Sequence, residues 1–265
     1  MNKTTNQDLF FEVGIVEHCN LNCRGCSHFS PIAEPYFMDP DVFDRDMARL
    51  SALFHGQASW IHIMGGEPLL HPRCTEFLEI TRKWFPTGRI DLITNGILLK
   101  EQDDEFWDVC KRNAIVIKPT RYPLAVDFDT VREKAQRMGI NFRFYNYEDD
   151  GSEKKLDKYV LDLAGTQNHC DSFLLCAQAN RCLTLKEGKM YTCPTIPYAY
   201  QFERRFGIPL PVSQEDYVDI TQVSSGEELL QKLAKAPSFC RFCNQRENLK
   251  GLPWGGSSQD IHEWV

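Results

Sequence analysis

Five short apolar runs, separated by stretches with helical spacing, set the strongest constraint on how this chain folds. They are Phe10–Glu17, Trp60–Met64, Arg89–Thr94, Ala114–Lys118 and Asn141–Tyr145. Each has the length and bounding residues of a buried strand rather than of a helix. Between them, Asp39 and Pro40 open an apolar spacing through Val42, Met47, Leu50 and Leu53, with the acid at an N-cap position. Pro72–Phe85, Lys100–Arg112 and Asp127–Met138 read as three more helices. Strands that alternate with helices of this length form βα units around a parallel sheet. A sixth strand is expected after Tyr145 but has no clear site; Glu148–Lys158 reads as a charged loop or helix start.

Three of the runs end in residues that carry chemistry. The first leads into Cys19-Asn-Leu-Asn-Cys23-Arg-Gly-Cys26, a C-x3-C-x2-C spacing. Four thiolates close a 4Fe–4S cube; three leave one iron open, and an open metal position separates a reactive site from a structural one. The second run leads into Gly65-Gly66-Glu67-Pro68. Two glycines let the backbone approach a ligand, and Glu67 offers an acceptor for an ammonium donor. The third leads into Thr94-Asn95-Gly96, which is also ordinary strand-to-helix turn vocabulary.

These motifs resemble those of the radical S-adenosylmethionine (SAM) superfamily. The resemblance implies a partial (β/α)6 TIM-type barrel, an α/β fold with ligands at the C-terminal ends of the strands. It implies that Cys19, Cys23 and Cys26 hold a 4Fe–4S cluster whose open iron binds SAM. It further implies that Gly65, Gly66 and Glu67 bind the amino group of SAM and that Thr94 and Asn95 stand on the cofactor side. Arg121, after the fourth strand, would meet SAM's carboxylate or ribose, or else be a surface Arg in a Pro-rich loop. The family usually has an aromatic or large apolar residue before the third cysteine. Here that residue is Gly25, so the adenine is expected to be contacted differently. A zinc knuckle is the bland alternative for the cysteine run. His18 and His28 flank the run and can be structural; Cys74 and Cys110 fall in helical patterns and read as small buried hydrophobes.

Composition narrows the setting. The chain has 265 residues and a net charge of −7, which argues against a basic nucleic-acid surface. No apolar run reaches the length of a membrane span, and Met1–Asp8 lacks a signal-peptide core. A cytoplasmic protein is expected, in which eleven cysteines point to metal binding rather than disulfides.

Six of those cysteines lie in the last hundred residues: Cys170, Cys176, Cys182, Cys193, Cys240 and Cys243. Arg181–Leu185 and Lys189–Cys193 flank Glu187-Gly188 and read as a β-hairpin. Gly188-x4-Cys193-Pro194, with the later Cys240-x2-Cys243, resembles the SPASM and Twitch auxiliary-cluster domains. With no cysteine after Cys243, the shorter Twitch pattern is the better match. It implies a second 4Fe–4S cluster on Cys193, Cys240, Cys243 and either Cys176 or Cys182, with zinc as the alternative metal. The expected organisation is a barrel core over 1–168 and an auxiliary domain of β-hairpin plus helix over 169–265. Trp254 reads as packing or cavity lining, and Ile261–Val265 as a short helix with Trp264 on the core.

The resemblance implies an enzyme that cleaves SAM to a 5′-deoxyadenosyl radical and takes a hydrogen atom from its substrate. The overall plan resembles the short Twitch-type alcohol dehydrogenases of aminoglycoside biosynthesis. A small polar substrate is expected, such as a sugar, cyclitol or nucleotide-sugar. The reaction would be dehydrogenation, with the auxiliary cluster as electron acceptor, or epimerisation, with a cysteine such as Cys170 or Cys182 returning hydrogen. The alternatives are a peptide- or protein-modifying maturase, and a non-catalytic zinc or electron-transfer protein. Reduction would draw on a flavodoxin or ferredoxin.

Overall fold

The computed structural model describes residues 9–145, 152, 154–179 and 181–265. Strands β1 (Phe10–Val16), β2 (Trp60–Gly65), β3 (Arg89–Thr94), β4 (Ile115–Pro119) and β5 (Asn141–Phe142) all run parallel in one sheet. Helices α1 (Pro40–Leu53), α2 (Cys74–Trp84), α3 (Asp104–Arg112) and α4 (Phe128–Met138) alternate with them. Local chemistry sets the helix starts. Asp39, Asp103 and Asp127 each accept a hydrogen bond from a first-turn backbone N–H, satisfying donors that lack intrahelical partners.

Alternation along β1 sorts its side chains. Phe11, Val13 and Ile15 are fully buried on the helix side, in one core with Ile61, Ile63, Ile90, Leu92 and Ile117. The opposite face is polar. Register places Thr184, Glu12, His62 and Asp91 in one row across four neighbouring strands, and all four are buried.

The sheet does not close, and its order is β5-β4-β3-β2-β1-β7-β8-β9. The parallel neighbour on the far side of β1 is β7 (Leu183–Lys186), the first arm of the expected hairpin. It turns at Glu187 and Gly188 into β8 (Lys189–Tyr191), and β9 (Tyr217–Asp219) extends the antiparallel edge. The sixth parallel strand therefore comes from the C-terminal region and not from the residues after β5. Part of the expected charged loop, 148–151 and 153, lies outside the described residues. Its last residues are not loop or helix: β6 (Lys155–Lys158) pairs with β10 (Leu249–Pro253) in a separate antiparallel ribbon.

Three further α-helices follow among the described residues: α5 (His169–Leu175), α6 (Thr195–Phe206) and α7 (Gly226–Leu233). A second core gathers Phe29, Tyr198, Phe202, Phe239, Phe242 and Trp264. The expected C-terminal helix is a single 3-10 turn over Ile261–Glu263, beside which Trp264 is 2% exposed. Buried ionic contacts join β1, β7 and α6. Lys186 Nζ lies 2.5 Å from Glu17 Oε1, Gln201 Nε2 donates to Glu17 Oε2 at 2.5 Å, and the Tyr200 hydroxyl donates to the same carboxylate.

Candidate active site

The loop behind β1 and the turn behind β2 meet backbone to backbone. Gly66 N donates to Val16 O at 2.7 Å and Glu67 N to His18 O at 3.1 Å. A Cβ on Gly66 would come to 2.0 Å from His18 O, and one on Gly65 to 2.2 Å from Val16 O. The double glycine is thus required by this chain crossing, which holds the cysteine loop against the end of β2.

Glu67 is fully buried. Its carboxylate accepts from Thr94 Oγ1 and Asn95 N, both at 2.7 Å, and from Leu69 N at 3.1 Å. Burial raises its pKa and these donors pull it down; the net is upward, to about 7. Its side chain therefore ties the β2 turn to the β3 turn. Asn95 continues the tie, donating through Nδ2 to Asn20 Oδ1 at 2.7 Å beside Cys19.

One cavity of about 450 Å3 gathers most of the expected site. Its walls include Cys19, Cys23, Cys26, Gly65, Gly66, Thr94 and Asn95. Arg121 does not line it: its guanidinium stacks over the Phe144 ring at 3.9 Å, and its neighbours Thr120 and Tyr122 face the cavity instead. Glu12, Tyr145, Tyr159, Gln178, Arg181 and Cys182 form a further polar wall.

The three loop thiols sit in different electrostatic settings. Burial pushes Cys19 up to about 12, partly opposed by the Leu21 N–H, with Glu67 and the other two cysteines adding to the rise. Burial also lifts Cys23 to about 11, against a hydrogen bond from Trp254. At Cys26 burial is outweighed by hydrogen bonds from the His28 side chain and from the backbone N–H groups of His28 and Ser30, and the net shift is down. His28 also lies 3.5 Å from Glu12. Half-buried thiols that repel one another yet receive N–H donors are suited to a bound cation, and the donor set fits three irons of a cluster.

The C-terminal segment closes over this loop. Arg24 N donates to Gly255 O at 2.9 Å, Ser257 N to Asn22 O at 2.7 Å and Trp264 Nε1 to Cys26 O at 2.9 Å. Gly25 N meets Glu263 Oε2 at 3.4 Å. Gly25 has φ +62°, and a Cβ there would lie 3.1 Å from Glu263 O. The position that breaks the aromatic pattern is therefore one where left-handed backbone and close cover both favour glycine.

The later cysteines separate into two places. Cys176, Cys193, Cys240 and Cys243 line one enclosed cavity beneath α5 and the turn Ser238–Phe242. Cys182 lies in the other, beside Glu12. Gly25, Ser27, Tyr159 and Gln178 line both cavities. Cys170 is exposed, whereas Cys74 and Cys110 are buried in the core. Among the described residues no three His, Cys, Asp or Glu side chains converge as ligands of a single metal ion. All eleven cysteines are free thiols, and no helix among the described residues is long and apolar enough to cross a membrane.

Residues 13–147 match the family model described as the radical SAM superfamily. The chain belongs to that superfamily. Membership implies an enzyme that uses SAM and a 4Fe–4S cluster. This radical SAM chain is 31% identical over 96 residues to the GTP 3',8-cyclase of Chlorobaculum tepidum, a stretch covering 36% of this chain and 28% of that relative. Among the solved structures that share its fold are these two. One is BtrN in complex with AdoMet and 2-DOIA, at TM-score 0.56, 18% identity and coverage of 92% of this chain and 94% of that one. The other is native anSMEcpe with bound AdoMet, at TM-score 0.53, 14% identity and coverage of 88% and 83%.

Sequence reading missed Tyr122, Glu12 and Tyr159 as residues of the site, and left Trp254 between packing and cavity lining. Glu12 did carry a signal, as the lone charge inside the apolar run Phe10–Val16. Trp254 carried none that local pattern could separate from packing.

Proposed function

We propose that this chain is a radical SAM oxidoreductase acting on a small polar molecule, such as a sugar, cyclitol or nucleotide-sugar, by dehydrogenation or epimerisation. When bound, the cluster and SAM supply the radical that takes a hydrogen atom from the substrate. Cys19, Cys23 and Cys26 would hold the iron; Gly65, Gly66, Thr94 and Asn95 would shape the SAM side. Glu67 would act from beneath, fixing the two turns to each other. Glu12, Tyr145, Tyr159 and Arg181 would orient the substrate, since they give the wall beyond the thiols both charge signs and hydroxyl groups. Cys182 faces the same space and is positioned to return hydrogen in an epimerisation.

The observation that carries the oxidative reading is the ring of Cys176, Cys193, Cys240 and Cys243 around one cavity, drawn from three separated stretches of chain. We take this as a Twitch-type auxiliary 4Fe–4S site in a region spanning 169–265, joined to the barrel core of 1–168 by the continuous sheet. The cavity they line holds about 30 Å3, roughly room for a water or two, so loading a cluster must widen it. The two cavities share Gly25, Ser27, Tyr159 and Gln178 as wall residues, which supports reading them as two neighbouring sites. We further place the chain in the cytoplasm, where free thiols stay reduced, with a flavodoxin or ferredoxin as reductant.

Anaerobic iron and sulfide analysis tests the reading. Wild type should hold about eight irons, and Cys193→Ala and Cys176→Ala about four each. Cys182→Ala should keep about eight. About four irons plus bound zinc in wild type would convert the second site to a structural one and remove it as an electron acceptor.

A further inference from the structure

We infer that Trp254, carried on the segment that follows β10, tunes the reduction potential of the cluster held by Cys23 through an N–H hydrogen bond to that thiolate. The indole Nε1 lies 3.2 Å from Cys23 Sγ. Trp254 is half-buried, and its indole N–H finds a sulfur rather than a carbonyl as partner. The contact is braced on both sides. Cys23 forms an isolated antiparallel bridge with Gly256, and Arg24 N donates to Gly255 O. The indole packs 6.0 Å from the ring of Tyr122, whose hydroxyl also bonds to Cys23.

The three thiols receive donors of different origin. Cys19 takes one from Leu21 N, two residues away at 3.4 Å, and a longer one from Asn95 Nδ2 at 3.7 Å. Cys26 takes its donors from His28 and Ser30. Cys23 takes its donors from two side chains, Trp254 and Tyr122. Donors to a cluster sulfur stabilise the more negative, reduced state and raise the potential. The indole offers a single N–H in fixed geometry and stays neutral at every pH, so it adds this effect without adding charge.

The inference rests on Cys23 being a cluster ligand, which the iron count of a Cys19/Cys23/Cys26 triple-Ala variant tests separately. The experiment is an EPR-monitored redox titration of reconstituted wild type and Trp254→Phe. It follows the signal that the triple variant lacks. Phe keeps the ring and removes the N–H. The expected result is a shift of that midpoint to lower potential at unchanged iron content. An unchanged midpoint would overturn the inference. Pulsed EPR on wild type labelled with 15N only in indole nitrogen gives a second readout that does not depend on the variant assembling. A 15N coupling to the reduced cluster supports the hydrogen bond, and its absence refutes it.

Discussion

His62 shows how a single side chain can carry the cost of the barrel's polar interior. It is 4% exposed, 3.8 Å from Asp91, and its neighbours Arg89 and Lys118 are cations. Burial lowers its pKa, Asp91 opposes, Lys118 and Arg89 add to the fall, and the result is about 3. The folded state therefore holds a neutral imidazole where the unfolded chain, near the ordinary value of 6.5, takes up a proton. That stability is complete above pH 6.5 and is lost as pH falls towards 3. Urea unfolding of the metal-free chain should accordingly weaken less between pH 6.5 and about 4 in His62→Gln than in wild type. Parallel pH profiles would remove His62 from the account. Nothing in the run Trp60–Met64 announces this. The residue was legible as part of a strand, but its environment is made by Asp91 and Lys118 on the two following strands. Glu67 is a similar case: the motif was plain in sequence, while the burial of its carboxylate under Thr94 and Asn95 depends on how two turns stack.

At the scale of elements, β1 to β5 and the four helices between them could be read to within a few residues, because each buries a local, periodic apolar face. The neighbour of β1 could not. A strand such as β7 carries its hydrophobic pattern whichever edge it joins, and the choice lies in contacts across about 170 residues of chain. The buried Lys186–Glu17 contact supports that choice. Removing one partner of a buried pair leaves an uncompensated charge, which costs about 3–5 kcal/mol. Lys186→Met should therefore destabilise the metal-free chain by about that amount in urea melts, whereas Lys189→Met, on the other arm of the hairpin, should change it little. Equal effects would mean that the ion pair does not fix β7 in place.

For the whole molecule, the two cysteine sets were legible as sets, and the structure divides the second of them by geometry that spacing cannot show. Cys176 and Cys182 are six residues apart, yet they line different cavities. The cover over the first set was illegible, since residues 254–264 have the composition of an ordinary loop. Glu263 organises that cover. Its carboxylate accepts from Gly25 N, from Ser257 Oγ at 2.6 Å, and from both Ser258 N at 2.6 Å and Ser258 Oγ at 2.8 Å. Each such bond contributes about 1 kcal/mol. Glu263→Ala should then speed loss of iron to a chelator by about tenfold or more, with the initial iron content preserved. A release rate equal to that of wild type would show that the cover does not guard the loop.

That cover also has a bearing on the order in which the protein is made. Trp254 and Cys23 are 231 residues apart in sequence. On the ribosome, the N-terminal thiols emerge and β1 can begin to fold long before the residues that close over them exist. The same loop is thus an open, solvent-facing trio of thiols early in synthesis and a lidded one at the end. The interval between those states is when the thiols stand clear of any packed side chain, and it is also when they are most exposed to oxygen.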